Sequence, residues 1–272
     1  MKQFLLGLLA TFILTSCSVN ILQEFSDVNS NEALFFDAKQ LVNAGNYAGA
    51  IAKFNAMSAT YLAKRDVKVV HASAYLGLCT SLDFLDLVDA LSSMATRVVP
   101  WLMSTFQGGD ASRQASCIQA ETIIKSISDL GVDRTADENL LMAFISFAKM
   151  GALVSRYGDS GTPDGSVDAG FDPCDVGDFP AVASQEFATG LIIAMDALEN
   201  IGSSTIGAGA TGDFTAACAA LPPLLNFCAD PPQTDIADID ANEQRGIRTL
   251  INESQDVGLG TCTGDAVACA CP

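Results

Sequence analysis

The sequence predicts an all-α fold in which antiparallel helical hairpins stack on one another, as in an α-solenoid, and are stapled by disulfide bonds. Apolar residues recur at helical spacing through most of the chain after residue 30. The apolar–polar alternation that strands show is hard to find. Eight cysteines follow Cys17, and an even number suits disulfide pairing. We expect residues 31–272 to form a single helical domain.

The first hairpin is predicted from two neighbouring segments, 31–44 and 47–63, which both carry apolar residues at helical spacing. Asn29 and Glu32 have the spacing of a capping box at the start of the first segment. Gly45 stands where a C-terminal cap belongs. Because only two or three residues join the segments, the two helices must run antiparallel.

The turn and second helix of this hairpin, "AGNYAGAIAKF", resemble a tetratricopeptide repeat, whose pattern is G-x-Y-x-x-A-I-x-x-F. The matching positions are Gly45, Tyr47, Ala50, Ile51 and Phe54. No second turn of this kind appears at the expected period of about 34 residues. The likeness to the repeat is therefore limited to residues 31–85. Hairpins of this family stack into a surface with a concave groove. The resemblance therefore implies a groove for a partner, for which we name Tyr47, Phe54 and Tyr75.

Seven further helices are predicted, over residues 67–95, 96–107, 113–130, 136–157, 180–201, 212–229 and 236–256. Capping-box spacing is present at Thr135-x-x-Glu138, just before the helix 136–157, and at Asp240-x-x-Glu243, within the segment 236–256.

Segment 139–154 is apolar on nearly every side, and only Lys149 interrupts it. Glu138 and Arg156 bracket it at about 17 residues, at the short end of what a membrane-spanning helix needs. A helix that is apolar all round is buried. We therefore predict that it is the central core helix of a folded domain.

Residues 1–16 have the pattern of a signal peptide, with one lysine followed by an apolar run too short to span a bilayer. The run ends in Leu14-Thr15-Ser16-Cys17, which resembles the lipobox of bacterial lipoproteins. The resemblance implies cleavage before Cys17, a diacylglycerol on its sulfur and an acylated amino terminus, and several acyl chains give stable attachment. Residues 17–30 would then be a lipidated tether. The alternative is an ordinary secretory signal that happens to contain a cysteine.

The residue after the lipobox, Ser18, resembles the outer-membrane address of lipoproteins in some bacteria with two membranes. The resemblance implies a protein of the bacterial cell envelope that is lipid-anchored in the outer membrane. An envelope protein or peptide is the partner that this location favours.

The charge balance excludes some partners. The chain holds 32 acidic against 14 basic residues, a formal net charge of −18. Nucleic-acid binding needs the opposite sign, because the phosphate backbone is negative. The same acidity disfavours anionic lipid head groups as general partners and favours basic partners or cations. Strong acidity is also compatible with a role in solubility alone.

Eight cysteines remain if Cys17 is lipidated, and an exported chain allows them to form disulfides. They are Cys79, Cys117, Cys174, Cys218, Cys228, Cys262, Cys269 and Cys271. Eight cysteines allow 105 pairings, so the sequence does not determine the connectivity. Cys218 and Cys228 could close a local turn, and Cys79 and Cys117 could bridge consecutive helical segments. Cys174 could join the tail 258–272, with its three cysteines. Zinc is disfavoured, because no CxxC is present and the single histidine is distant from these cysteines.

Residues 158–178 form an Asp- and Gly-rich loop with six aspartates. Calcium needs several oxygen ligands on a backbone that can curl, so Asp159, Asp164, Asp168 and Asp172 are candidate ligands. The spacing does not match an EF-hand. A solvated acidic loop pinned by a cysteine and a loop that docks a partner are the alternatives.

Other candidates have weaker patterns. The repeated aspartates at 83, 86 and 89 suit a solvated helix face better than an acid–base pair. His71 lacks a nucleophile context such as G-x-S-x-G. The glycine-rich segment 207–213 lacks the lysine and serine of a P-loop and is expected to be a flexible connector. Trp101 suits either a core position or an exposed anchor for a partner.

The sequence thus favours a membrane-anchored, non-catalytic scaffold or adaptor. The alternative is a small-molecule-binding accessory component of an envelope transport system, because the predicted architecture is similar to that of tetratricopeptide lipoproteins associated with TRAP transporters. An enzyme has the least support, and no cofactor is expected beyond the covalent lipid on Cys17.

Overall fold

The computed structural model of this 272-residue chain describes residues 29–80, 82, 86, 97–201, 208–228, 233–255 and 257–272. These ranges contain α-helices, three short 3₁₀ segments and no β-strand, which confirms the predicted all-α class. The α-helices, numbered α1 to α10 in chain order, are Asn31–Asn43, Tyr47–Asn55, Ala59–Leu62, Arg65–Thr80, Val98–Thr105, Ala111–Lys125, Ala136–Gly158, Ala181–Glu199, Ala208–Ala220 and Ala241–Asn252. The 3₁₀ segments are Gly131–Asp133, Pro223–Leu225 and Ile236–Asp238.

The predicted first hairpin is present as α1 and α2, which pack on each other. The side chains of Ser30 and Asn46 each accept a backbone N–H from the first turn of the helix that follows, which satisfies a donor that the helix itself cannot. Gly45 takes a φ of 72° in the turn between them, a conformation that glycine adopts at little cost. The cap of α1 is therefore Ser30, one residue later than the expected Asn29.

The second helix of the hairpin is shorter than the predicted segment 47–63, because it ends at Asn55 and a separate short helix, α3, follows. Ser58 lies between them, and its side chain accepts the N–H of Tyr61 at 3.3 Å. A serine that bonds the backbone in this way competes with a continuous helix. The break places α3 beside the start of α1.

From α4 onward, helices pack on neighbours in a series. Helix α4 packs on α6, α6 on α7, α7 on α8 and α8 on α10, while α5 lies against α7. Helix α4 also packs on α1 and α2, so it connects the N-terminal pair to the rest of the fold. Whether this series follows the superhelix of tetratricopeptide repeats stays a prediction.

Helices α7 and α8 are the two described helices that are long and apolar enough to span a membrane by length and composition, with mean hydropathies of 1.3 and 1.2. In the fold, 83% and 72% of these apolar windows are buried. The burial fits the central core helix predicted for 139–154.

Buried apolar side chains form two clusters. The small core joins α1, α2 and α4, and consists of Leu34, Ala38, Ala50, Phe54, Met57, Val67 and Ala74. The main core is much larger and is centred on α7 and α8. Helix α4 contributes to both clusters, with Val67 on one side and Leu76 on the other.

Four disulfide bonds staple the chain, and they join Cys79 to Cys117, Cys174 to Cys271, Cys218 to Cys228 and Cys262 to Cys269. The first bond connects α4 to α6, and the second ties the acidic loop to the tail. The pairings suggested for Cys79 and Cys218, and the attachment of Cys174 to the tail, are those of the structure.

Two helix boundaries differ from the prediction near the C-terminus. Helix α9 covers Ala208–Ala220 rather than 212–229, since Pro222 and Pro223 prevent it from continuing. Its first turn occupies most of segment 207–213, which was expected to be a connector.

The last helix begins at Ala241 rather than 236, because residues 236–238 form a separate 3₁₀ turn. Its start is the predicted capping box, in which the Asp240 and Glu243 side chains each accept a backbone N–H from the other residue. The other predicted capping box, formed by Thr135 and Glu138, starts α7. Both helix starts thus follow from short sequence patterns.

Candidate functional site

Two of the three residues expected to line a partner groove flank His71, and the third packs further along α4. The Phe54 ring stacks on the His71 imidazole with 4.4 Å between ring centres. The Tyr75 ring centre lies 5.2 Å from the same imidazole. The Tyr47 ring packs on Gly77, where a side chain would not fit. Phe54 is on the last turn of α2, whereas Tyr47 is on its first turn, next to the α1–α2 turn; we call the surface around Tyr47 and Tyr75 the aromatic end of the hairpin.

Phe54 does not have the surface role that the repeat resemblance implied. It has no exposed surface and belongs to the small core, because its ring is enclosed by α1 and by the imidazole on α4. Tyr47 and Tyr75 are half-buried, so part of each ring reaches the surface. A partner at this end would contact the two tyrosines, together with Leu78 at the partly exposed side of α4.

His71 is a packing residue in this cluster. Burial lowers the pKa of its imidazole to about 4, so the ring is neutral at neutral pH. Its Nε2 is buried and has no hydrogen-bond partner among the described residues. The ring therefore serves as an aromatic surface between Phe54 and Tyr75.

The opposite end of the hairpin is where the chain enters α1. Asn31 donates its side-chain N–H to Ser58 Oγ at 3.1 Å and accepts the Ser58 backbone N–H at 2.9 Å. These reciprocal bonds fix the first residue of α1 against the start of α3. Whatever precedes residue 29 therefore emerges beside α3.

A cluster of lysines and aromatic rings lies on α1 and on residues 61–64 at the end of α3, and we call it the tether-end patch. The Lys39 ammonium lies 5.5 Å from the centre of the Phe35 ring, and the Lys64 ammonium lies 3.7 Å from the centre of the Tyr61 ring. The two rings meet edge to face at 6.1 Å, in an arrangement that aromatic pairs favour. Phe36, which is 63% exposed, completes the patch.

Charge is distributed unevenly between the ends of the sequence. Residues 31–80 hold five basic against three acidic residues, whereas residues 81–272 hold eight basic against 27 acidic residues. The acidity that characterises the whole chain is therefore absent from the N-terminal helices. The overall net charge of −18 hides this asymmetry.

In the acidic loop, the aspartates bond the loop's own backbone. Each of the four candidate calcium ligands, Asp159, Asp164, Asp168 and Asp172, accepts at least one backbone N–H from within the loop. The N–H of Gly161, and then the N–H and hydroxyl of Ser160, hold the pKa of Asp168 below its usual value. The carboxylates thus satisfy the donors of a chain segment that has no helix.

The loop lies wholly within the described residues, and among those residues no group of three or more Asp, Glu, His or Cys side chains has the spacing to hold a metal ion. The four aspartates are not brought together around one point. Calcium binding by this loop stays a prediction, and the loop's position is explained by its own hydrogen bonds and by the bond from Cys174 to Cys271.

A buried charge cluster in the main core was not expected from the sequence. Lys149 on α7 is fully buried and forms ion pairs with Glu121 on α6, at 2.7 Å, and with Glu186 on α8, at 3.1 Å. Its ammonium also donates to Thr189 Oγ1 at 3.1 Å. Burial by itself would lower the pKa of Lys149, but the two carboxylates outweigh it and raise that pKa. Lys149 therefore keeps its charge, and its contacts link three successive helices.

The signal for this cluster was visible in the sequence as a single lysine within an apolar helix. A lysine is rarely buried unless it is paired, so its position predicts acidic partners somewhere in the core. The partners are 28 and 37 residues away in sequence, so spacing along the chain could not identify them.

The other candidate residues are Cys17, Trp101 and the aspartates at 83, 86 and 89. Cys17, Asp83 and Asp89 lie outside the described residues, and Asp86 is exposed. Trp101 is buried and packs edge to face against Phe106 and Phe147 at 6.2 and 6.1 Å. Trp101 is therefore a core residue.

The C-terminal tail packs on α10. The backbone N–H of Cys271 donates to Thr249 Oγ1 at 3.0 Å, and Arg245 donates to the carbonyl of Cys271 at 2.9 Å. Asn252 donates to the carbonyl of Cys269 at 3.3 Å. The tail is thus part of the main fold.

Comparison of the chain with protein families, with curated proteins and with solved structures finds no match.

Proposed function

We propose that this chain is a lipid-anchored scaffold of the bacterial cell envelope, which holds an envelope protein or peptide on its N-terminal helical hairpin and catalyses no reaction. The lipobox-like sequence at Cys17 supports the anchor. The aromatic end of the hairpin supports the partner site, because half-buried tyrosines are typical of surfaces that recognise proteins.

The observation that carries the proposal is the separation of the hairpin from the main core. Helices α1 and α2 have their own small core and are attached to the rest of the fold through α4. Tyr47 on α2 and Tyr75 on α4, which packs against the main core, can then be contacted by one partner at the junction of the two cores. The charge cluster and the disulfides lie in the bundle, where they maintain the support.

The proposal is tested by site-specific photocrosslinking in cells with the lipidated protein. A photoreactive residue is placed at Leu78, near the two tyrosines, and, as a control, at Val267, an exposed position of the tail. We expect one dominant protein to crosslink from position 78, not from position 267, and to be lost when Tyr75→Ala is introduced. Val132→Ala, at a 71% exposed site, serves as the matched substitution.

Equal crosslinking from both positions would contradict the proposal. A small molecule that copurifies in the native mass spectrum, with no protein partner, would instead support the accessory role in transport. Labelling of Cys17 with a fatty-acid analogue, lost in Cys17→Ser, tests the anchor separately.

A further inference from the structure

We propose that the tether-end patch docks on the anionic head groups of the membrane that carries the anchor, so that the acidic bundle points away from that membrane. The inference rests on the anchor of the proposed function, but not on the proposed protein partner. It concerns side chains of α1 and of residues 61–64, and neither Tyr47 nor Tyr75.

The patch lies close to the point where the tether enters α1. The bonds between Asn31 and Ser58 hold the entry of the chain into α1 next to α3, and the patch lies on α1 and at the end of α3. Residues 18–30, fully extended, reach at most about 45 Å, so a lipid on Cys17 would keep the patch within that distance of the bilayer. A short connection of this kind makes the second contact effectively intramolecular.

The composition of the patch supports docking as well. Lys39 and Lys64 are exposed, and no carboxylate of the described residues forms an ion pair with either. Their ammonium groups lie over aromatic rings, and Phe36 is 63% exposed next to them. Cations attract anionic lipid surfaces, while exposed aromatic side chains suit the boundary between head groups and acyl chains.

Other charged side chains near the patch reduce the number of cations that can attract a membrane. Burial, followed by the carboxylates of Glu32 and Asp66, raises the pKa of Tyr61, so two negative charges lie near the patch and weaken its field. Lys53 is paired with Asp37, and Arg65 is paired with Glu138. The attraction therefore depends mainly on Lys39 and Lys64.

The charge of the rest of the protein also supports docking. Residues 81–272 carry 27 acidic against eight basic residues, and an anionic membrane repels such a body. Repulsion of the body and attraction of the patch act in the same direction. Together they select one orientation of the protein on the bilayer, in which the acidic bundle lies away from the membrane.

The first test measures binding without the lipid. The mature chain with Cys17→Ser, exported behind an ordinary cleavable leader, is floated with vesicles of phosphatidylcholine, with and without phosphatidylglycerol. We expect binding only to the anionic vesicles, weakened by salt and lowered about tenfold in the double variant Lys39→Gln, Lys64→Gln.

Two matched controls separate the patch from general effects. Ser112→Glu with Gln119→Glu changes the net charge equally but at exposed positions of α6, and we expect a much smaller loss of binding. Phe36→Ala should weaken binding several-fold, whereas Leu224→Ala, at a 79% exposed site of the bundle, should not. Equal losses in patch and control variants would overturn the proposal.

The second test uses the lipidated protein, in which weak docking is still detectable. Lys39 and Lys64 should react more slowly with an amine-reactive reagent on anionic vesicles than on neutral ones, relative to Lys125 of the bundle. Unchanged reactivity of the two lysines would contradict the docking proposal even if Cys17 is lipidated. Slower reactivity in the absence of any protein crosslink at position 78 would support docking and reject the scaffold. An acidic protein that binds the patch better than vesicles do would also overturn docking.

Discussion

The N-terminal hairpin and the bundle around α7 are held together in different ways. The hairpin relies on a small core, on caps from Ser30 and Asn46, and on a tight turn at Gly45. The bundle combines a large apolar core with a buried charge cluster and four disulfides. Local contacts dominate the first region, while contacts between distant residues dominate the second. We therefore expect the hairpin to open more easily than the bundle.

The largest effect is expected in the bundle. Lys149→Met keeps the apolar volume but leaves Glu121 and Glu186 without their shared cation, and breaking a buried ion cluster in this way costs about 4 kcal/mol. The free energy of unfolding from urea titration measures this loss. The control changes all three residues to methionine, which should recover most of the stability, since no unpaired charge remains. A loss no greater than that of a surface substitution would mean that the cluster does not hold the bundle together.

A smaller and more local effect is expected in the hairpin. Phe54→Ala removes the central ring of the small core and should destabilise it by about 3 kcal/mol. Native-state hydrogen exchange should show lost protection in α1 and α2, with α7 and α8 unchanged. Phe36→Ala, at an exposed position of α1, should change stability by no more than about 0.5 kcal/mol. Equal loss of protection in α7 would show that the two regions unfold as one unit.

The ion pair between the two regions should be sensitive to strong acid. Arg65 donates to both carboxylate oxygens of Glu138 at 2.6 Å, and this contact is the largest cause that lowers the pKa of Glu138 to about 2. Burial opposes this effect, and the N–H of Thr135 adds to it. The carboxylate is therefore ionised in the folded protein at a pH where it is protonated in the unfolded chain.

The stability from this pair is fully present above the ordinary pKa of 4.5 and is lost as the pH falls toward about 2. We expect a loss of about 1.5 kcal/mol, since screening at the half-exposed Arg65 reduces the effect. Glu138→Gln keeps the capping box and should remove this loss from the pH profile of unfolding. An unchanged profile in the variant would assign the acid sensitivity to other carboxylates.

The smallest effect is expected from His71, in a different pH window. Its pKa is about 4 in the fold against 6.5 ordinarily, so the unfolded chain binds a proton where the folded chain does not. Stability is full above pH 6.5 and decreases as the pH falls through the pKa of about 4. The loss should be about 1 kcal/mol because the ring is only partly buried, and His71→Phe, which keeps the ring stack, should abolish it. An identical profile in wild type and variant would contradict the assignment.

The parts of the fold that were predictable from sequence are those that short patterns encode. Gly45 and its neighbours predicted the hairpin, and the capping box at Thr135 predicted the start of α7. The box at Asp240 was recognised, but the helix was expected to begin at residue 236. The end of α2 at Asn55 was not predicted. In the sequence, a serine that caps the next helix, as Ser58 does, looks the same as a serine on the surface of a continuous helix.

The candidate site was less predictable, since it depends on which residues meet in space. The repeat resemblance named Tyr47, Phe54 and Tyr75 for one groove, but it could not show that Phe54 faces inward and stacks on His71. The tether-end patch joins α1 to α3, and it exists only because the second helix breaks. The partners of Lys149 are on other helices, and helical periodicity carries no information on such contacts.

The two bonds between Asn31 and Ser58 also determine how the fold bears mechanical load. A pull applied at residue 30 would peel α1 away turn by turn if that end were loose. With Asn31 fastened to Ser58, the force passes directly into α3 and the start of α4, where Arg65 is joined to Glu138 on α7. These contacts give a pull at residue 30 a route to α7 that does not run along α1 and α2.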